Sequence, residues 1–155
     1  MGNLCPQNER KKKIMKYVVM VSHGEFAPGL HSAVKMMTGD RDDVVSTSLV
    51  DGMGTDVLAE NFNALTAHFT ADDEVILLAD ILSGSPFTTA LACLDERGLL
   101  GNTLVLAGMN MPLAVTAVLM KDNMPLDMLK DVLLSEGRAG LCEFVTTAGD
   151  DDDDI

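Results

Sequence analysis

Four short stretches of this chain place reactive or small polar residues directly after apolar runs: His23-Gly24, Asp51-Gly52, Asp80 with Ser83-Gly84-Ser85, and Gly108 with Asn110. A histidine is nucleophilic near neutral pH because its reference pKa is about 6.5, so it attacks an electrophile without a strong base to strip its proton. Phosphoryl is the natural electrophile for such a group. A carboxylate such as Asp80 can accept a hydrogen bond from one ring nitrogen, fixing the tautomer that leaves the other nitrogen's lone pair free. It would also stabilise the positive charge that develops on the ring. Ser83-Gly84-Ser85, standing before a helix, can offer phosphoryl oxygens backbone N–H groups, the Ser85 hydroxyl and the positive end of the helix dipole. The plainer readings are a loop histidine bonded to its own backbone, and Asp51 as a turn residue at the rim with partner contact second.

These residues converge only if the runs before them are parallel strands of one sheet. Lys16 to Ser22 reads as a buried strand, since Tyr17-Val18-Val19-Met20-Val21 shows no polar alternation. Val44 to Val50, Glu74 to Ala79 and Thr103 to Ala107 read as three more, with Val75-Ile76-Leu77-Leu78 the most apolar. Helical patterns lie between them. Pro28 suits the first turn of a helix stopped by Gly39. Thr55 or Asp56 caps one with Val57, Leu58, Phe62, Leu65 and Phe69 on one face. Ser85 as N-cap with Pro86 at the first helical position opens a third, and Pro112 a fourth running through Met120. Leu126 to Leu134 is a fifth, and Gly140 to Thr146 a final strand suited to an edge or an antiparallel addition. The alternation predicts an α/β fold with a doubly wound, mostly parallel sheet, whose carboxyl rim collects the four stretches. His31 is expected at a surface or boundary position, and His68 near a helix end where a cation complements the dipole.

Composition narrows the partners. At 155 residues the chain is expected to form one domain, with 1–15 a polar flank, 16–147 the folded domain and 148–155 an acidic tail. A formal net charge of -13 argues against nucleic acid, whose affinity for proteins comes largely from Lys and Arg. No run approaches the eighteen or so apolar residues of a membrane span, and no secretory leader is legible. Cys5, Cys93 and Cys142 have no metal-ligand spacing and suit reduced thiols in a cytoplasmic protein. Neither a P-loop nor a dinucleotide fingerprint is present.

Three motifs then stand in order: Val21-Ser22-His23-Gly24 with Pro28-Gly29-Leu30, Asp80-Ile81-Leu82-Ser83-Gly84-Ser85-Pro86-Phe87, and Ala107-Gly108-Met109-Asn110-Met111-Pro112. Together they resemble the enzyme IIA domain of mannose-family phosphoenolpyruvate-dependent sugar phosphotransferase systems, over roughly Lys16 to Thr146. The resemblance implies a cytoplasmic phosphohistidine carrier that accepts a phosphoryl group from HPr and passes it to a IIB component, serving IIC and IID membrane components indirectly. His23 matches the histidine phosphorylated on Nε2, Asp80 the carboxylate that orients its ring, and Ser85 the serine that helps hold the phosphoryl group. Gly24, Asp51, Gly108 and Asn110 become rim or partner-contact positions. The resemblance also implies a homodimer exchanging its final antiparallel strand, for which Gly140 to Thr146 is suited, and it requires no metal or diffusible cofactor. It departs at Leu82 and Ser83, where family members commonly carry an aromatic residue and a glycine. Alternatives are a phosphotransfer domain serving a dihydroxyacetone kinase or transcriptional regulator, a regulatory binding domain without catalysis, and a metal-dependent hydrolase using His23, Asp51 and Asp80.

Overall fold

The computed structural model describes residues 12–147. Most of the expected flank and all of the acidic tail therefore lie outside the described residues, as does Cys5. Four strands, β1 (Lys16–His23), β2 (Val44–Leu49), β3 (Glu74–Ala79) and β4 (Thr103–Ala107), form one parallel sheet in the order β2-β1-β3-β4. Five helices alternate with and follow them: α1 (Phe26–Thr38), α2 (Thr55–Leu65), α3 (Ser85–Glu96), α4 (Met111–Met120) and α5 (Leu126–Ala139).

The two central strands are apolar over residues 17–21 and 75–79 because helices cover both of their faces. Alternate residues feed separate cores. Val18 and Met20 of β1 join Ile76 and Leu78 of β3 against α1, α4 and α5. Tyr17, Val19 and Val21 join Val75, Leu77 and Ala79 against α2 and α3. A shift of either strand by one residue would exchange the contents of the two cores, which pins the register Val21↔Ala79 and His23↔Leu49. The ends of β1 and β3 are thereby level, and they flank the point where the order of strands reverses.

Several local expectations shift. Gly84, not Ser85, is the N-cap of α3, so Ser85 and Pro86 are its first and second residues. The helix over Leu126 continues to Ala139, five residues beyond the expected end. α2 ends at Leu65 and Val57 is exposed. Phe69 reaches the core from a turn, stacking on Tyr17 at a 3.9 Å centroid distance. His68 consequently lies beyond the helix, its ring edge-on to Tyr17 and Phe69. His31 is half-buried, with Nδ1 2.9 Å from the Ser46 hydroxyl, and burial lowers its pKa. The segment expected as a last strand, Gly140 to Thr146, pairs with no strand of its own chain: α5 runs to its start, and no strand follows among the described residues.

At the amino end of the sheet, the Lys121 side chain is only 1% exposed and its Nζ lies 2.6 Å from Asp43 Oδ2. Arg41 donates to both oxygens of Asp43 at 2.8 Å. The Arg41 hydrogen bonds lead, against the opposing cost of burial, in holding the Asp43 pKa down to about 2. This network closes the end of the molecule remote from the rim.

Candidate functional site at the carboxyl rim

His23 is the last residue of β1 and Asp80 the first beyond β3, so the pairing of these strands sets the two side chains face to face. Asp80 Oδ2 accepts from the His23 backbone N–H and lies against His23 Nδ1, both at 2.8 Å. Its other oxygen accepts from the Ile81 N–H at 2.8 Å. Burial opposes ionisation of this carboxyl group, but the hydrogen bonds from His23 and Ile81 outweigh it and the pKa falls below the ordinary value. An ionised carboxylate only accepts, so Nδ1 must carry the proton and the Nε2 lone pair is left free. The Asp80 side chain is 15% exposed against 45% for His23, which suits an anchored carboxylate beneath an accessible ring.

The loop from Asp80 to Gly84 brings α3 up to the ring. Ser83 has a left-handed φ of 63°, an uncommon conformation for a residue with a side chain and one that favours glycine. It turns the chain so that Gly84 meets the imidazole. A Cβ on Gly84 would stand 2.8 Å from His23 Cε1 and 3.1 Å from Ile81 Cγ1, so the bare backbone is what lets the ring approach. No side chain caps α3. The amides of Ser85 and Phe87 in its first turn have no intrahelical acceptor, and Pro86 contributes no N–H. The N-terminal donors of α3 therefore face the region of the ring, with the positive end of the helix dipole behind them.

The remaining rim residues divide. Gly24 has φ 55° and donates its N–H to Leu49 O, joining the end of β1 to that of β2. It shares with His23, Asp51 and Met53 an open groove of about 410 Å³. Gly108, at φ 78°, donates its N–H to Asp80 O and so braces the loop that carries the carboxylate. Asn110 is turned to structural work: Oδ1 caps α4 by accepting from Leu113 N–H, and Nδ2 donates to Gly137 O on α5. Residues that sequence reasoning passed over also contribute. Ser22, fully buried, accepts the Ala27 N–H on its hydroxyl at 2.6 Å and anchors the start of α1 beside His23. Its place between Val21 and His23 was the available signal. Among the described residues no three His, Cys, Asp or Glu side chains converge to hold a metal ion, and no helix is long and apolar enough to cross a membrane.

A parallel sheet ordered β2-β1-β3-β4 with helices on both faces is the fold this chain shares with components of sugar phosphotransferase systems, a class of phosphoryl carriers. The family model for the PTS system fructose IIA component matches residues 17–133, and the chain belongs to that family. The mannose-specific EIIAB component of Escherichia coli strain K12 is 29% identical over 125 residues, covering 80% of this chain and 38% of that protein. The chain thus spans well under half of that relative's length. The fructose-specific EIIA component of Bacillus subtilis strain 168 is 24% identical over 116 residues, 75% of each chain. Among solved structures, phosphotransferase system component EIIA from Streptococcus agalactiae superposes with a TM-score of 0.71 at 25% identity, covering 83% of this chain and 97% of that one. The mannose/sorbose-specific IIA subunit from Enterococcus faecalis reaches 0.74 at 19% identity, covering 86% and 98%, and shows the same fold.

Proposed function

We propose that His23 is the phosphoryl-carrying residue, accepting the group from the phosphohistidine of HPr and passing it to a IIB component during sugar uptake through IIC and IID membrane components. The observation that carries this reading is the 2.8 Å contact between His23 Nδ1 and an ionised Asp80. The Nε2 lone pair attacks phosphorus, the P–N bond to HPr breaks, and its electron pair returns to the donor's imidazole. The Nδ1 proton stays in place. The ring becomes a phosphorylated imidazolium, whose positive charge faces the Asp80 carboxylate, and transfer to IIB reverses these steps. Ser83, Gly84 and Ser85 hold the phosphoryl oxygens where the loop enters α3, while Gly24, Asp51, Gly108 and Asn110 shape the rim that partners meet. Asn110 does so through the backbone it fixes. No metal or diffusible cofactor enters the scheme.

The carrier domain spans 16–147, with flanks at 1–15 and 148–155, and works in the cytoplasm. Gly140 to Thr146 completes the fold as an antiparallel strand exchanged between the copies of a homodimer. Exposed Leu141, Phe144 and Val145 support this, together with the unpaired outer edge of β4. Sedimentation of the full chain should give a dimer; a stable monomer at micromolar concentration would remove the exchange. For the carrier reading, incubation with phosphoenolpyruvate, enzyme I and HPr should give an acid-labile, base-stable label that His23→Ala abolishes. Label persisting in that variant would sink the assignment.

A further inference from the structure

We infer that the acidic run 150–154 of each copy seats against the lysine cluster of its partner, at the amino end of the sheet, and so clasps the exchanged strand. The inference rests on the exchange proposed for segment 140–146 and gives a role to the tail that follows it. The fold directs the tail to that place. α5 carries the chain from the amino end, where Lys16 Nζ donates to Met124 O at 2.7 Å, back to the rim, where Gly140 lies against Pro112. A strand over 140–146, antiparallel to a partner's β4, runs the other way. At about 3.4 Å per residue it covers about 20 Å and returns the chain to the start of that β4, Thr103. Residues 147–150 extend the reach by about 13 Å. Asn102, immediately before β4, lines an open groove of about 530 Å³ together with Lys12 and Lys13, both exposed.

Charge selects the same groove. In a chain of formal net charge -13, residues 10–16 hold five of the 11 Lys and Arg: Arg10, Lys11, Lys12, Lys13 and Lys16. The other cations are engaged or stand singly. Lys35 pairs with Asp40, Arg41 and Lys121 with Asp43, and Arg97 donates to the carbonyls of Thr66 and Phe69, while Lys130 and Arg138 lie two turns apart on α5. Asp72, Asp73 and Glu74 share the groove with the lysines. Asp73 is buried and accepts from the N–H groups of Met15 and Thr70 and from the Thr70 hydroxyl; Glu74 is paired with Lys16 at 3.1 Å. Asp72 is exposed and competes with a single charge. Five cations exceed these three carboxylates, so a run of Asp is drawn to this end of the molecule and repelled by most of the rest.

The test uses full chains, half of them labelled with nitrogen-15 and refolded together with unlabelled ones, then cross-linked with a carbodiimide. Mass spectrometry should find amide links from Lys11, Lys12 or Lys13 of one isotope to residues 150–154 of the other. Sedimentation gives the second reading. Changing all five Asp of the run to Asn should weaken the dimer about tenfold at about 50 mM salt, and the difference should vanish near about 500 mM. General repulsion between two acidic chains predicts the opposite, a tighter dimer. Lys12→Gln with Lys13→Gln should weaken it similarly, and the combined variant no more than either alone, as for groups that act as a pair. A dimer that the Asp changes leave unaltered or tighten, or links that are absent or confined to one chain, would overturn the clasp while the exchange stands. A monomeric wild-type chain would remove the exchange and the clasp with it.

Discussion

Replacing Asp80 by Asn separates the charge of this residue from its shape. The carboxylate accepts three hydrogen bonds at 2.8 Å, two on the oxygen facing His23 and one on the other. An amide has one acceptor. With its oxygen toward His23, the tautomer survives but the NH2 group opposes the Ile81 N–H. With its nitrogen toward His23, it donates to Nδ1, drives the ring proton to Nε2 and blocks the nucleophile. In either pose the negative charge opposite the developing imidazolium is gone. With charge centres about 4 Å apart, that charge is worth about 4 kcal/mol at an effective dielectric of 20. Solvent around a ring that is 45% exposed reduces this to about 3 kcal/mol, on the order of 100-fold in rate. Rapid-quench labelling by phosphorylated HPr at saturating donor should show that loss in Asp80→Asn. A rate within threefold of wild type would refute the role of the carboxylate, and a loss confined to donor affinity would move its role from chemistry to docking.

Gly84→Ala should preserve the fold yet displace the imidazole, because the new methyl meets His23 Cε1 at 2.8 Å; relief costs about 1–3 kcal/mol, read as a shifted His23 ring resonance with slowed labelling. Asp43, held to about 2 from an ordinary 3.8, contributes about 2 kcal/mol of stability that is full above about pH 4 and lost as pH falls through about 2. Asp43→Asn should therefore be less stable than wild type at pH 7 by about 2–4 kcal/mol in urea, since Lys121 and Arg41 lose their shared anion, and the gap should shrink between pH 4 and 2. Asn110→Ala should lose about 1–2 kcal/mol of unfolding free energy, having removed both the α4 cap and the tie to Gly137; an unchanged midpoint would show that those bonds carry no stability.

The strands were legible where burial on both faces leaves no choice of residue. Glu74–Ala79 and Thr103–Ala107 have the bounds expected of them, and β1 is longer by one residue, His23 itself. The convergence of His23 with Asp80 followed from parallel strand ends, but their direct contact required β1 and β3 to be neighbours, and no local pattern specifies strand order. Ser85 looked like the N-cap because a hydroxyl before proline is the common signal. An extended Gly84 took the position because the left-handed turn at Ser83 delivers the chain one residue earlier. Asn110 read as a rim residue, yet its partner Gly137 lies 27 residues away on a helix five residues longer than its apolar pattern. Gly140 to Thr146 shows the reverse limit: a segment with strand propensity is left unpaired in its own chain.

In the proposed transfer Asp80 holds the Nδ1 proton so that Nε2 of His23 takes the phosphoryl group. Nitrogen-15 and phosphorus-31 NMR of the phosphorylated full chain measure this directly. A phosphoryl group on His23 Nε2, with Nδ1 still protonated, is the predicted result. A phosphoryl group on Nδ1, or on any other residue, would contradict it.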